Sequence, residues 1–168
     1  LEKEAVYQVL KQGIDQRKPN LFGAAIAFTP NLVAGQELFA PFYQMTDVGQ
    51  RQMVQVETKY DYTDEKVPTA LWYVQTAKLQ RPGWYHYFGK AANDWLIVYA
   101  APFYRDGKFA GVVASVHSAN YTFRQFLQSV PLGQEGYLVL LDENGVLVRH
   151  PNRSYNGKTL LEVAQLLK

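Results

Sequence analysis

The stretch from residue 95 to 116 reads WLIVYAAPFY (95–104), RDGK (105–108) and FAGVVASV (109–116). Two apolar runs of strand length, rich in Val, Ile, Tyr and Phe, therefore flank a short polar segment. That segment contains Asp106-Gly107, a dipeptide favoured in two-residue hairpin turns because both positions require a positive φ. The sequence predicts an antiparallel β-hairpin here, and the rest of the chain is interpreted around it.

The segment before this hairpin, residues 60–87, is rich in tyrosine and tryptophan. Each such ring buries a large apolar area while its N–H or O–H still needs a partner, so a cluster of them suits an apolar pocket with a few polar tips. For any single ring, ordinary core packing is the commoner explanation. Because the segment is predicted to be a helix and a loop, which would normally face water, the cluster indicates a ligand site.

The composition is that of a globular protein, with 48% hydrophobic and 19% charged residues in a chain of 168. This length suits one good core, or one domain and part of another. The net charge of +2 is too small and too scattered to indicate binding to nucleic acid or to an anionic membrane surface. The absence of cysteine excludes disulfides, thiolate metal sites and a cysteine nucleophile.

Before the aromatic segment, the pattern predicts one helix and two strands. Apolar residues at spacings of three and four predict an amphipathic helix from Glu2 to about Gln16. Residues 21–29 are predicted to form a buried strand, and residues 38–44 a second one, in which Pro41 favours an edge position or a bulge. Residues 53–57 alternate in polarity and either continue the second strand or precede a loop.

Helices are predicted on both sides of the central hairpin. The first lies within residues 61–87, with Thr63 or Asp64 as its N-cap and Arg81-Pro82-Gly83 as its end. The second is a short helix over residues 120–127, where Phe and Leu recur at helical spacing.

A break in composition at residues 131–136 precedes a second predicted hairpin over residues 137–150, in which Asn144-Gly145 indicates a type I′ turn. A last helix is predicted over residues 157–167. No stretch approaches the roughly 18 apolar residues of a membrane span. The chain opens in the middle of a pattern and stops without a cap, which indicates a piece of a longer protein.

The order of elements predicts an α+β domain with helices beside a sheet. A series of short motifs follows this order and resembles the extracytoplasmic Cache sensor domain of bacterial membrane receptors: YDYT (60–63), WY (72–73), PGWY (82–85), PFY (102–104), GKF (107–109) and GVV (111–113). The second hairpin, with GYLVLLD (136–142) and His150-Pro151, resembles the start of the membrane-proximal lobe of double Cache domains.

The resemblance implies a PAS-like fold, in which a long N-terminal helix accompanies a central antiparallel sheet and a helix-loop roof covers the ligand pocket. It implies a membrane-distal sensor domain at residues 1–131 and the truncated beginning of a membrane-proximal lobe at residues 132–168. For the whole protein it implies a periplasmic sensor tethered to the inner membrane, with a histidine kinase, chemoreceptor, phosphatase or cyclic-dinucleotide output. A homodimer through the N-terminal helix is compatible with it.

Two positions depart from the amino-acid-binding members of this family. Those members resemble one another in an arginine two places before the Trp-Tyr pair, which holds the ligand carboxylate, and in an aspartate after the final strand, which holds its ammonium. Here these positions are Ala70 and Val116. Since a carboxylate without a bidentate guanidinium loses its best partner, an amino acid held in this way is not expected.

The expected ligand-binding residues are six aromatic side chains with an aspartate and a histidine among them: Tyr60, Asp61, Trp72, Tyr73, Trp84, Tyr85, His86 and Tyr99. Rings of this kind can stack on a small ligand or surround a cation.

The sequence shows no catalytic constellation and implies no cofactor. Its three histidines are isolated and lack metal-ligand spacing: His86, His117 and His150. Residues 142–145 resemble a calcium loop only superficially, and a cap and a pocket rim explain Asp61 and Asp64 more simply than acid-base chemistry does. The sequence therefore predicts a non-enzymatic domain that senses a small molecule. The alternative is a structural or protein-interaction module without a small ligand.

Overall fold

The computed structural model describes residues 2–16, 21–46, 49–89, 92, 94–124, 130, 132 and 136–166. The chain divides into two compact units, residues 1–117 and residues 118–168. Within the described residues, no helix combines the length and the apolar character needed to cross a bilayer.

The first unit is built on one six-stranded antiparallel sheet. Its strands in chain order are β1 (Gly23–Phe28), β2 (Pro41–Met45), β3 (Arg51–Gln55), β4 (Gly83–Gly89), β5 (Asp94–Arg105) and β6 (Lys108–Ser118). Their spatial order is β3-β2-β1-β6-β5-β4. The unit also contains the helices α1 (Lys3–Asp15) and α2 (Leu71–Leu79). The predicted α+β class with an N-terminal helix is therefore confirmed.

The predicted central hairpin is strands β5 and β6. Its turn has φ of 51° at Asp106 and 74° at Gly107, as a type I′ turn requires. A glycine is also needed at Gly111, where φ is 153° and a Cβ atom would lie 2.2 Å from the carbonyl oxygen of Ala27. The missing side chain of Gly111 lets β6 run close beside β1. Residues Gly111 to Val116 of β6 pair with β1.

Strand β2 does not occupy an edge position, one of the two alternatives that Pro41 favoured. It lies between β1 and β3, and Pro41 is its first residue, a position at which a strand tolerates the missing N–H. The edge position belongs to β3, which pairs with β2 along its whole length. The alternating residues 53–57 thus begin as this separate strand and end in a 3₁₀ turn, Val56–Thr58.

Helix α1 confirms the predicted amphipathic helix but buries a narrower stripe than expected. Its buried residues are Val6, Leu10 and Ile14, whereas Ala5 and Val9 are exposed. The helix packs on β1 and β2, where Val6 joins a core cluster with Phe28, Val33 and Phe39.

The predicted caps of the second helix are wrong. Asp61 Oδ1 accepts the Thr63 N–H at 2.8 Å, and Asp64 Oδ1 accepts the Lys66 N–H at 2.8 Å. These local bonds stabilise turns in competition with a helix, so the chain reaches α2 only after a 3₁₀ turn, Pro68–Ala70. The predicted end is confirmed, because α2 stops at Leu79 and Gln80 adopts a left-handed φ of 51°.

Residues 83–89 form a strand and not the aromatic loop that the sequence suggested. Strand β4 pairs with β5 from Gly83 opposite Ala100 to Gly89 opposite Asp94. Aromatic residues favour strands, and β5 offers them a long partner, which outweighs the loop signal of Pro82-Gly83.

The second unit contains α3 (Ala119–Thr122), β7 (Leu140–Leu141), β8 (Leu147–Arg149) and α4 (Leu160–Leu166). Strands β7 and β8 are antiparallel, as predicted. The prediction of a type I′ turn is wrong, because only Gly145 of the Asn144-Gly145 dipeptide has a positive φ, of 75°. Asp142 Oδ1 instead accepts the N–H groups of Asn144 and Val146 at 2.9 and 2.8 Å and holds a wider loop. Residues 125–127 of the predicted helix 120–127 lie outside the described residues.

Candidate functional site

A small cavity lies between the sheet and the segment that precedes β4. We call residues 56–79, which contain the two 3₁₀ turns and α2, the roof. The cavity has a volume of about 20 Å³ and is lined from the roof by Val56, Tyr60 and Trp72, and from the sheet by Ala25, Phe42, Tyr87, Gly89, Leu96, Val98, Ala114 and Val116. This volume holds about one water molecule, so a larger ligand requires the roof to move away from the sheet.

The polar side-chain atoms in this lining belong to Tyr60, Trp72 and Tyr87. Trp72 Nε1 donates to the Tyr60 hydroxyl at 3.1 Å. This bond lies within the roof, and Tyr87 of β4 lines the cavity from the side of the sheet.

The surroundings of the two phenols disfavour charge. Burial raises the pKa of Tyr60 to about 12, against the opposing effect of the hydrogen bond from Trp72. Burial also raises the pKa of Tyr87 well above the usual range of a tyrosine. Both hydroxyls therefore stay neutral at physiological pH.

A second group of aromatic residues fixes the roof behind the cavity. The hydroxyls of Thr76 and Tyr85 lie 2.9 Å apart and join α2 to β4. The ring of Tyr73 meets that of Tyr62 edge-on at 4.8 Å. Tyr62 is fully buried, donates to the Phe28 carbonyl oxygen at 2.7 Å and accepts a backbone N–H at 3.1 Å. Burial raises the pKa of Tyr73 to about 12.

The outer face of the same strands carries different aromatic residues. Trp84 and Tyr99 are directly opposite on β4 and β5, and their ring centroids lie 4.9 Å apart. Trp84 is 64% exposed and Tyr99 38%. Because successive residues of a strand point to opposite faces, His86 shares the face of Trp84, whereas Tyr87 points to the cavity.

The structure thus separates the eight residues expected at a ligand site. Tyr60 and Trp72 line the cavity, while Tyr73 and Tyr85 lie in the packing behind it. The outer face holds Trp84, His86 and Tyr99, and Asp61 is exposed in its turn.

Sequence reasoning missed Tyr87, which lines the cavity from β4. The signal was present, because residues 84–88 alternate and would place Tyr85 and Tyr87 on one face of a strand. Of the two positions that depart from the amino-acid-binding members, Val116 lines the cavity and Ala70 is fully buried. The described lining therefore contains no charged side chain.

The N-terminal helix α1 packs on one face of the antiparallel sheet, and the aromatic roof covers the other face. A family model described as the methyl-accepting chemotaxis protein-like, first PDC sensor domain, matches residues 6–116, and the chain belongs to this family. The resemblance to Cache sensor domains is confirmed. The matched domains are sensor domains and not catalytic ones, in keeping with a non-enzymatic role.

Solved structures with the same fold come from receptors. The extracellular domain of a protein described as a histidine kinase, soHK1S-Z6, is 27% identical and superposes with a TM-score of 0.72 over 99% of this chain and 62% of its own. Methyl-accepting chemotaxis protein X is 20% identical, with a TM-score of 0.74 over 99% of this chain and 66% of its own. The ligand-binding domain of the Pseudomonas aeruginosa amino-acid chemoreceptor PctC, solved with GABA, is 16% identical, with a TM-score of 0.57 over 96% of this chain and 65% of its own.

This chain therefore spans about 62% of the length of the first of these structures. A comparison with curated protein sequences found no match.

Proposed function

We propose that this chain is the extracytoplasmic ligand-sensing part of a membrane signal-transduction receptor, and that a small molecule binds between the roof and the sheet. The observation that carries this proposal is the aromatic cavity, whose roof is joined to β4 by the hydroxyls of Thr76 and Tyr85. The similar PctC domain was solved with GABA, and that of the chemoreceptor CtaA with L-serine. These ligands support a small molecule as the stimulus, while the uncharged lining here favours a different chemistry.

Strand β1 offers a route from the cavity to the N-terminal helix. Ala25 lines the cavity on one face of this strand. Its neighbour Ile26 lines an apolar groove on the opposite face together with Val6 of α1. A ligand that separates the roof from the sheet acts on β1 and shifts the position of α1. The size of the shift in population is limited by the ligand's difference in affinity for the two arrangements.

The wider organisation is also proposed. Residues 1–131 form the membrane-distal sensor domain, and residues 132–168 begin a membrane-proximal lobe. The whole receptor is tethered to the inner membrane and pairs through α1, whose Ala5 and Val9 are exposed and apolar.

The test is thermal unfolding of this chain with a panel of amino acids, small carboxylates, amines, purines, polyamines and uncharged aromatic compounds. A ligand at about 100 times its dissociation constant adds roughly 2.7 kcal/mol to stability, which raises the midpoint by about 5 to 10 °C at this length. The matched variants are Ala114→Leu, which fills the cavity, and Val113→Leu, its exposed neighbour on the opposite face of β6. We expect the shift to disappear in Ala114→Leu and to remain in Val113→Leu. Equal shifts in the two variants would contradict binding at this site.

The exposed rings of Trp84, Phe88 and Tyr99 favour the second candidate, a protein-interaction module. Exposed apolar patches mark interaction sites. Under this reading the panel gives no shift, and Trp84→Ser weakens the receptor's response to its stimulus without changing the folded state of this chain.

A further inference from the structure

Tyr60 and Tyr87 both line the cavity, and at least one of their two hydroxyl protons has no acceptor among the described residues. A phenol has one proton to donate and two lone pairs to accept with. Trp72 Nε1 donates to Tyr60 and so occupies a lone pair of that hydroxyl without using its proton. A hydrogen bond between the two hydroxyls would use only one of their two protons. Whichever tyrosine donates within the pair, the other keeps its proton for a further partner.

The rest of the cavity offers apolar contacts. Its other lining residues are aliphatic, phenylalanine or glycine, apart from the indole of Trp72: Ala25, Phe42, Val56, Gly89, Leu96, Val98, Ala114 and Val116. An ion moved into such surroundings loses its hydration and gains no opposite charge, at a cost of several kcal/mol. A zwitterion loses the hydration of two charged groups, whereas a neutral molecule loses none.

Resting on the proposed function, we propose that this site selects a small uncharged ligand with an apolar body and one hydrogen-bond acceptor, which receives the remaining hydroxyl proton of the Tyr60–Tyr87 pair. The apolar body takes the place of contacts between roof and sheet, and the acceptor fixes its orientation. Since the cavity of about 20 Å³ must widen to admit the ligand, the compounds that bind are also those that separate the roof from the sheet.

Three compounds of similar shape test this class: acetophenone, which has a carbonyl acceptor, ethylbenzene, which lacks it, and phenylalanine, which is a zwitterion. Binding to the 168-residue chain is measured by calorimetry and by the thermal midpoint. We expect acetophenone to bind roughly 2 to 10 times more tightly than ethylbenzene, the range of one neutral hydrogen bond, and phenylalanine not to bind at the same concentrations. Equal affinity for the first two compounds, binding of phenylalanine, or no binding of acetophenone up to its solubility limit would each overturn the inference.

Variants connect the preference to the pair. In Tyr60→Phe/Tyr87→Phe both protons are gone, so acetophenone should lose its advantage over ethylbenzene. The matched control is Tyr85→Phe, which removes a hydroxyl from the same strand behind the cavity and should preserve the advantage. An unchanged advantage in the double variant overturns the inference; if that variant does not fold, the comparison of compounds on the native chain decides alone.

The cavity-filling variant separates this inference from the proposed function. If a charged compound binds and Ala114→Leu blocks it, the ligand site stands and the uncharged class is wrong. If acetophenone binds equally well to Ala114→Leu, both the class and the site are wrong.

Discussion

Both faces of strand β4 carry aromatic side chains, but the two faces have opposite environments. Toward the roof, the Tyr85 hydroxyl lies 2.9 Å from that of Thr76, and Tyr87 lines the cavity. Toward the outside, Trp84 and Phe88 are 64% and 44% exposed. The difference arises from what covers each face, because the roof lies over one and leaves the other open. An aromatic residue alone therefore does not indicate a binding site. The alternation of side chains along the strand, and whether another element covers that face, decide which rings line the cavity.

The comparison extends to two of the three tryptophans, Trp72 and Trp84. Trp72 is 2% exposed and donates its N–H to Tyr60, whereas Trp84 packs against Tyr99 and His117 at the surface. A tryptophan is thus buried in the roof at one position and exposed on the sheet at the other. Substitutions at the two positions should therefore lower the free energy of unfolding by different amounts.

The largest expected effect is that of Trp72→Ala. Removing this buried ring leaves a cavity and takes a donor from Tyr60, and we expect a loss of about 3 to 5 kcal/mol in the free energy of unfolding. The matched variant Trp84→Ala should cost about 1 kcal/mol or less, since its ring is mostly in water. Urea unfolding of both variants measures the difference. Similar costs would mean that the two faces are equally covered in solution.

Alkaline pH should weaken the roof through its buried phenols. The pKa of Tyr60 is raised in the folded state, so folding favours the neutral hydroxyl. The resulting contribution to the free energy of unfolding is complete below pH 10 and is lost as pH rises through about 12. A shift of this size corresponds to about 2 to 3 kcal/mol. Urea unfolding at pH 9 and pH 11.5 should show a smaller loss for Tyr60→Phe than for the native chain. Identical pH dependence would contradict burial of this hydroxyl.

A hydroxyl deletion in the core of the roof should have a moderate effect. Tyr62→Phe leaves the Phe39 N–H and the Phe28 carbonyl oxygen without their partner, and we expect a loss of about 1 to 3 kcal/mol. The control is Tyr104→Phe, whose exposed hydroxyl donates to Gln80 and should cost at most about 0.5 kcal/mol. Equal costs in chemical unfolding would show that Tyr62 is not buried as described.

Local chemistry made much of the fold predictable. The Asp106-Gly107 turn and its apolar flanks specify the β5–β6 hairpin, and the spacing of Val6, Leu10 and Ile14 specifies α1. The wrong predictions concern segments whose structure depends on pairing with strands distant in sequence. Strand β4 forms because β5 extends beside it, and Pro41 is tolerated because it starts a strand, neither of which a local pattern reveals.

The candidate site was predictable in part. Tyr60 and Trp72 were among the residues expected to bind a ligand and line the cavity, yet the assignment of residues 83–87 to a loop removed the alternation that separates Trp84 from Tyr87. The sheet residues Leu96 and Val98 gave no signal as site residues, because an apolar strand residue looks the same whether it faces a cavity or a packed core. The role of all these residues in binding stays a prediction.

The smallest expected effect is the coupling between the exposed rings of Trp84 and Tyr99. Directly opposite aromatic residues on antiparallel strands stabilise a sheet by about 0.5 to 1 kcal/mol beyond their separate contributions, and these rings are 4.9 Å apart. A double-mutant cycle with Trp84→Ala and Tyr99→Ala, followed by urea unfolding, measures this coupling. A value near zero would show that the outer rings do not interact in solution. A value well above about 1.5 kcal/mol would show that something covers this face and that its environment resembles the roof side after all.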